Sequence, residues 1–466
     1  MAMPTPYPFQ RIGARRIEAF GGRALLADAM GLGKTIQAIL WMKWYLEKGP
    51  VVIVCPATIK EHWRRHIKEC LPDLNPIVLE TKTTPPKGLR VNPDRVYIIN
   101  YDILGRAEDP NSWVNYLKAT EPTLVIGDEC HYVKTRDTIR TKSFRHLCRN
   151  VEKLIMISGT PLTNRPAELW TAVNLLRPDI FETFWEYGNR YCAPRRTPWG
   201  YQYTGATNLD ELHHILKKTC MIRRLKEDVL TDLPSKVRSI VTMKINNRKE
   251  YAEAETNFIR WLRKYNPQKA TRVQKAERLV QLGYLRRLAA TLKLPSVINW
   301  LQDFVEESDS KLIIFGIHKS VLGPLKEKFK KSCVFIDGQV RGASRQHAID
   351  SFNKNPKARF LFGNIQAAGV GWSCTSTSEI GFIEFPWTPG DMMQAEDRVR
   401  GIGRGVQGRQ STYYNLVAEG TIEEKLVQLL AEKQLILDQT MDGEAGASGF
   451  NLLDLLTQAM VKEKKK

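Results

Sequence analysis

Between residues 20 and 165, five short runs are apolar almost throughout, and each gives way to a longer amphipathic stretch. They read "RALLAD", "VVIVCP", "VYIIN", "TLVIGDE" and "KLIMISGT". A strand with one wet face alternates apolar and polar residues; a strand that does not alternate has to be covered on both faces. Repetition of such strands with helices between them predicts a parallel sheet layered by helices. The rhythm returns at "KLIIFGI", "CVFIDG", "RFLFGN" and "EIGFIEF". The expected fold is α/β, with two parallel-sheet lobes. Residues 171–300 have another character: "RVQKAERLVQLGYLRRLAATL" is basic and helically spaced, and reads as a helical insert and linker. The expected layout places the first lobe at 1–170, the second at 301–440 and a C-terminal tail at 441–466, its final "KEKKK" solvated. With 466 residues, 42% of them apolar, the chain can bury two or three cores.

The end of the first run carries chemistry. Residues 28–35 read "DAMGLGKT", and Gly31-Leu32-Gly33-Lys34-Thr35 has the composition of a phosphate-binding loop. The strand "RALLAD" before it and the helix "TIQAILWMKWYL" after it supply the context such a loop needs. Glycines at 31 and 33 let backbone N–H groups turn inward as an anion nest, and the helix N-terminus adds partial positive charge. Lys34 can reach β- and γ-phosphates, and Thr35 can hold Mg²⁺. The full pattern has glycine where this chain has Asp28.

A second signal stands at residues 123–134, "TLVIGDECHYVK". Asp128 and Glu129 close an apolar strand, and the carboxyl end of a parallel strand faces the ligand crevice of such a sheet. Asp128 is placed to organise Mg²⁺ and its waters, and Glu129 to orient and deprotonate an attacking water. Lys34, Asp128 and Glu129 are thus the expected catalytic residues of an ATP-hydrolysing site.

Formal charge is +20, which points to a polyanionic partner, most simply nucleic acid. Eight scattered cysteines form no CxxC pair, a pattern of a reducing compartment. The N-terminus has no secretory signal pattern, and no apolar run has the length of a membrane span.

In this order the motifs resemble those of the superfamily-two helicases, and more narrowly the SWI/SNF-type DNA translocases. The opening "YPFQRIGARRIEAFGGRALLADAMGLGKTIQAI" is similar to that family's first motifs, as are "VIVCPATIKEHW", "NYDIL" and "ISGTPLTNRPAELW". "IRRLKEDVLTDLPSK" is a hallmark string. "LIIFGIHKSVL", "NIQAAGVGWS" and "FPWTPGDMMQAEDR" follow in family order. The likeness runs from about residue 7 to 440, and "LRRLAATLKLPSVINWLQDF" with "FGIHKSVL" most resembles the annealing-helicase branch.

The resemblance implies two RecA-like lobes closing on ATP and Mg²⁺, and movement along duplex or forked DNA. It implies nucleotide contacts from Gln10, the loop residues Asp28, Ala29, Met30, Gly31, Leu32, Gly33, Lys34 and Thr35, and Gly369. Asp28 is usual in the family, whereas Ala29 stands where an acid is usual. The family's arginine motif, "QAEDRxHRIGQ", appears here as "QAEDRVRGIGR". Arg398 matches its first arginine. Gly401 occupies the second place, which makes Arg400, ahead of Arg404, the expected substitute. A monomer is expected, in the cytoplasm of a prokaryotic or phage-infected cell or in a eukaryotic nucleus. An RNA helicase and a nucleotide-dependent DNA-binding scaffold are the rival functions.

Other features have simpler readings. His62, His66 and Cys70 share a helical face, but a surface helix explains them better than a metal site. Trp41, Trp44 and Trp63 read as helix-packing residues. Arg272, Lys275, Arg278, Arg286 and Arg287 either line DNA or face solvent.

Overall fold

Val51–Cys55, Val-Val-Ile-Val-Cys, has every residue buried, and so do Val96–Asn100 and Leu124–Asp128. These are the third, second and fourth strands of one sheet in a computed structural model of the chain. The structure describes residues 5–80, 85, 95–162, 165–198, 200–230, 236–256, 277–337, 342–365, 374–400 and 409–443. The strands in chain order are β1 (Arg23–Leu26), β2 (Val51–Cys55), β3 (Ile77–Val78), β4 (Val96–Asn100), β5 (Leu124–Asp128) and β6 (Lys153–Ile157). They continue with β7 (Arg195–Thr197), β8 (Gly200–Gln202), β9 (Met221–Ile222), β10 (Lys236–Met243), β11 (Leu312–Gly316) and β12 (Cys333–Ile336). The last three are β13 (Phe360–Asn364), β14 (Glu379–Phe382) and β15 (Ser411–Ala418).

The first sheet has the order β3-β4-β2-β5-β6-β1-β9, and the second β10-β15-β14-β11-β13-β12. Every pairing in both is parallel; β7 and β8 form a separate antiparallel hairpin. Two parallel-sheet lobes are therefore present as expected. All nine runs singled out in the sequence are strands.

The described chain divides into two units, residues 5–230 with 435–443, and residues 236–434. The boundary between the units falls within 171–300, the stretch read from the sequence as a helical insert and linker. β9 closes an edge of the first sheet, and β10 pairs along all eight residues with β15 in the second. β10 escaped the apolar pattern because it is an edge strand with Ile240 65% exposed.

In the first sheet the parallel strands all deliver their carboxyl ends to one rim. Reading across that rim, β2 leads to the helix Lys60–Cys70, β5 to Asp128-Glu129, β6 to Ser158-Gly159, β1 to the glycine loop and β9 to Arg223-Arg224. Among the described residues, no helix is long and apolar enough to cross a membrane.

Candidate nucleotide site

The glycine loop joins β1 to the helix Lys34–Met42, and its backbone takes the shape a phosphate nest requires. Gly31 and Gly33 have φ of 84° and 69°, a region closed to most side chains but open to glycine. Gly33 stands at the N-cap of the helix. From the helix Pro8–Ala19, Gln10 Nε2 donates to the carbonyl of Leu32 over 3.2 Å, so this glutamine lies against the loop. The Lys34 ammonium donates to the carbonyls of Asp28 (2.8 Å) and Ala29 (3.3 Å). Burial draws its pKa below the ordinary lysine value, while the negative charge of Glu129, Asp28 and Asp128 holds it up. Gly159, from the β6 turn, fits tightly here: a Cβ would stand 2.2 Å from Met30 Cγ and 3.1 Å from Lys34 Nζ.

The two carboxylates after β5 are held differently. Asp128 Oδ2 accepts the indole N–H of Trp63 at 2.7 Å, and Oδ1 accepts the Glu129 amide at 2.9 Å. Burial, then the neighbouring Glu129, pushes its carboxyl well above the usual aspartate range. Glu129 has φ 51° and ψ 57°, a left-handed conformation uncommon outside glycine and recurrent at functional sites. Its Oε2 accepts from Ser158 Oγ at 3.0 Å and lies 3.3 Å from His131 Nδ1. Burial alone would raise its pKa; His131, Lys34 and Ser158 outweigh burial and keep it low. One acid is thus braced by a buried indole, and the other is held ionised in a strained turn.

Asp28 resolves the departure from the glycine pattern. Its fully buried carboxylate turns to Arg224, with Nε at 3.0 Å and NH2 at 2.5 Å, and to Gln37 Nε2 at 2.9 Å. Arg224 also donates to Gln37 Oε1 (2.7 Å) and to the Phe9 carbonyl. The Asp28 side chain is committed to the loop's own framework, and its carbonyl takes Lys34. The adjacent Arg223 donates to the carbonyls of Ala27 (2.9 Å) and Gly159 (3.2 Å), and pairs with Asp442 at 2.6 and 3.0 Å. Consecutive arginines leaving β9 therefore pin both the entry to the phosphate loop and the β6 turn beside it.

The structure gathers Gln10, Lys34, Asp128 and Glu129 on one rim, and places Thr35 as the second residue of the helix that follows the loop. It adds Trp63, Ser158, His131, Arg223 and Arg224, none of which was given a role at the site from the sequence. A tryptophan in an amphipathic helix looks like packing, and the arginines come from 196 residues away in the chain. Trp41 is buried and donates to Glu18, whereas Trp44 is 47% exposed rather than packed. His66 pairs with Glu69 at 3.0 Å.

The expected arginines belong to the second unit. Arg398 is buried and its Nε donates to the Gln394 carbonyl at 2.9 Å; Arg400 is buried too. Arg286 neither faces solvent nor sits on a free surface: it is buried and stacks 4.3 Å from the Trp387 ring centroid. Arg287 is exposed and donates to Ser320. Gly369, Gly401, Arg404, Arg272 and Lys275 lie outside the described residues, as does the Arg278 side chain.

Known proteins resemble this chain over most of its length. The SNF2-related domain matches residues 18–294, more than half of the chain, and the helicase conserved C-terminal domain matches residues 296–403. The SWI/SNF-related matrix-associated actin-dependent regulator of chromatin subfamily A-like protein 1 of Xenopus laevis is 34% identical over 452 residues, covering 95% of this chain and 44% of that protein. Its Bos taurus counterpart is 35% identical over 455 residues, 96% of this chain and 45% of that protein. The human DNA annealing helicase and endonuclease ZRANB3 is 31% identical over 449 residues, 94% of this chain and 40% of that protein. The chain spans less than half the length of these relatives. With a phosphate loop, a paired-acid strand end and both family domains in order, this chain belongs to the SNF2-related family.

Proposed function

We propose that the chain is a DNA-stimulated ATPase that moves along double-stranded DNA. The observation that carries this is Glu129: an ionised carboxylate in a left-handed turn, held by Ser158 and His131 on the rim that bears the Lys34 loop. Such a group can take a proton from water, and Lys34 can neutralise phosphate charge as it develops. Thr35 and Asp128 would hold Mg²⁺ bound with the nucleotide. The Asp128 oxygens accept from Trp63 and from the Glu129 amide, one bond each, and keep lone pairs for a metal-bound water. Bound Mg²⁺ would supply charge neutralisation on the phosphates. Gln10, against the loop, is suited to the base of the nucleotide. Arg398 and Arg400 are the candidates for the arginine charge that phosphoryl transfer needs.

Duplex DNA is supported as the track by the net charge of +20 and by the family. Likeness to an annealing helicase supports rewinding or fork remodelling as its use. The test is steady-state ATP turnover without nucleic acid and with blunt duplex, forked DNA, single strands and RNA. Duplex and fork stimulation is expected, and lost in Lys34→Ala. Stimulation by RNA alone supports the RNA helicase instead, and nucleotide-dependent DNA binding without turnover supports the scaffold.

A further inference from the structure

The first unit also carries an antiparallel hairpin that has no role in the ATP site described above. β7 and β8 pair Arg195 with Gln202, Arg196 with Tyr201 and Thr197 with Gly200. Directly opposed residues of an antiparallel pair share a face. Arg196 and Tyr201 therefore stand side by side on one face of the hairpin, and Arg195 lies on the other.

Both strands are exposed except for the half-buried Thr197, and Tyr201 is 60% exposed. A tyrosine ring left in water on a two-stranded ribbon contributes little to folding, because such a ribbon has no second layer to bury it against. Neither arginine has an acidic partner among the described residues, and no acidic residue occurs between Glu186 and Asp210 in the sequence.

The base of the hairpin is firm. Tyr203, directly after β8, packs edge-on against Phe184 with centroids 4.9 Å apart. It also lies so close to Gly188 that a Cβ there would meet the ring at 2.6 Å. The amides of Gly205 and Thr207 bond the carbonyls of Cys192 and Tyr191, tying the returning strand to the helix Phe184–Tyr191. That helix itself exposes Trp185 by 66%.

A rigid base, an exposed aromatic ring, flanking arginines and no acid are the parts of a base-stacking platform with phosphate contacts. We propose that the β7–β8 hairpin binds unpaired nucleotides at a DNA branch, with Tyr201 stacking on a base and Arg195 and Arg196 contacting phosphates. Bases inside a duplex present no free face to a tyrosine ring, whereas those of a splayed arm do. This rests on the DNA-motor reading and deepens it: the hairpin would let the motor tell a fork from uninterrupted duplex.

The test measures binding of the full chain to a fork with single-stranded arms and to a blunt duplex of equal length, by fluorescence anisotropy at fixed salt. In Tyr201→Ala, fork affinity is expected to fall about tenfold while duplex affinity changes by less than about twofold. Tyr201→Phe, which keeps the ring, should restore fork binding. Arg195→Gln with Arg196→Gln should lower the salt slope on the fork by about 0.7 per lost phosphate contact. Equal losses on fork and duplex, or no loss on either, overturn the hairpin assignment; the second is the result expected if the hairpin serves a protein partner. Wild-type protein that binds neither DNA overturns the motor reading as well.

Discussion

Glu129 and Trp63 show how a single position sets what the rim can do. The Glu129 backbone is held where few residues other than glycine settle, and its carboxylate is kept ionised by His131, Lys34 and Ser158. Replacing it by glutamine keeps its size and removes the base. Glu129→Gln should bind ATP with near-normal affinity and hydrolyse it about 10²–10⁴-fold more slowly. Equilibrium nucleotide binding beside single-turnover hydrolysis checks this, and parallel loss of both would make Glu129 a binding residue. Trp63 acts one step behind, by donating its indole N–H to Asp128. A hydrogen bond to a charged group contributes about 1.5–3 kcal/mol. Trp63→Phe should therefore lower turnover by about tenfold or more, with the main loss in the concentration of Mg²⁺ needed for half-maximal rate.

At the scale of elements, the arginines leaving β9 tie strand ends together. Arg224→Ala would leave the Asp28 carboxylate buried and unpaired, which should destabilise the first unit by about 3–5 kcal/mol. Adding Asp28→Asn should recover part of that loss, and denaturant unfolding of the two single variants and the double variant measures the coupling. The second unit has its own fully buried pair. Lys293 Nζ lies 2.5 Å from both Glu423 Oε2 and the Leu416 carbonyl, and Glu423 also accepts the Ala418 amide. Burial lowers the lysine's pKa and raises the glutamate's, each opposed by the partner's charge. Lys293→Met should cost about 3–5 kcal/mol of stability, read from the unfolding of the second unit.

These same elements show what could be read from residues alone. β2, β5 and β11 were legible because five consecutive buried residues leave a run with no alternation. β10 was hidden by its exposed, basic edge, and β9 by having only two residues. Lys34 was legible because it opens a helix after a glycine loop, and Asp128 and Glu129 because they stand at the end of an apolar strand, both known chemical patterns. Trp63 and Arg224 were not, since their partners are 65 and 196 residues distant and nothing local distinguishes them from packing or surface residues.

For the whole molecule, the charge of +20 dictates how DNA affinity should respond to salt. Each phosphate neutralised on duplex DNA contributes about −0.9 to the slope of log K against log[salt]. A slope of about −5 or steeper is expected from titrations between low and physiological salt, with weak sequence preference because phosphate contacts carry little base information. A slope near zero would remove the electrostatic basis for DNA as the track. The helix Ile422–Asp442 begins with the second unit, but from Leu435 it counts with the first. There Leu437 and Met441 join the first core, and Asp442 meets Arg223, 219 residues earlier. On the ribosome, then, the first unit cannot be completed until residues 435–442 have followed the strands of the second. Its strands emerge early, yet its core lacks two apolar side chains, and Arg223 lacks its counter-ion, until the second unit's last strand, β15, has already been translated. A nascent chain arrested before residue 435 would carry a phosphate loop with one of its arginine fastenings still open.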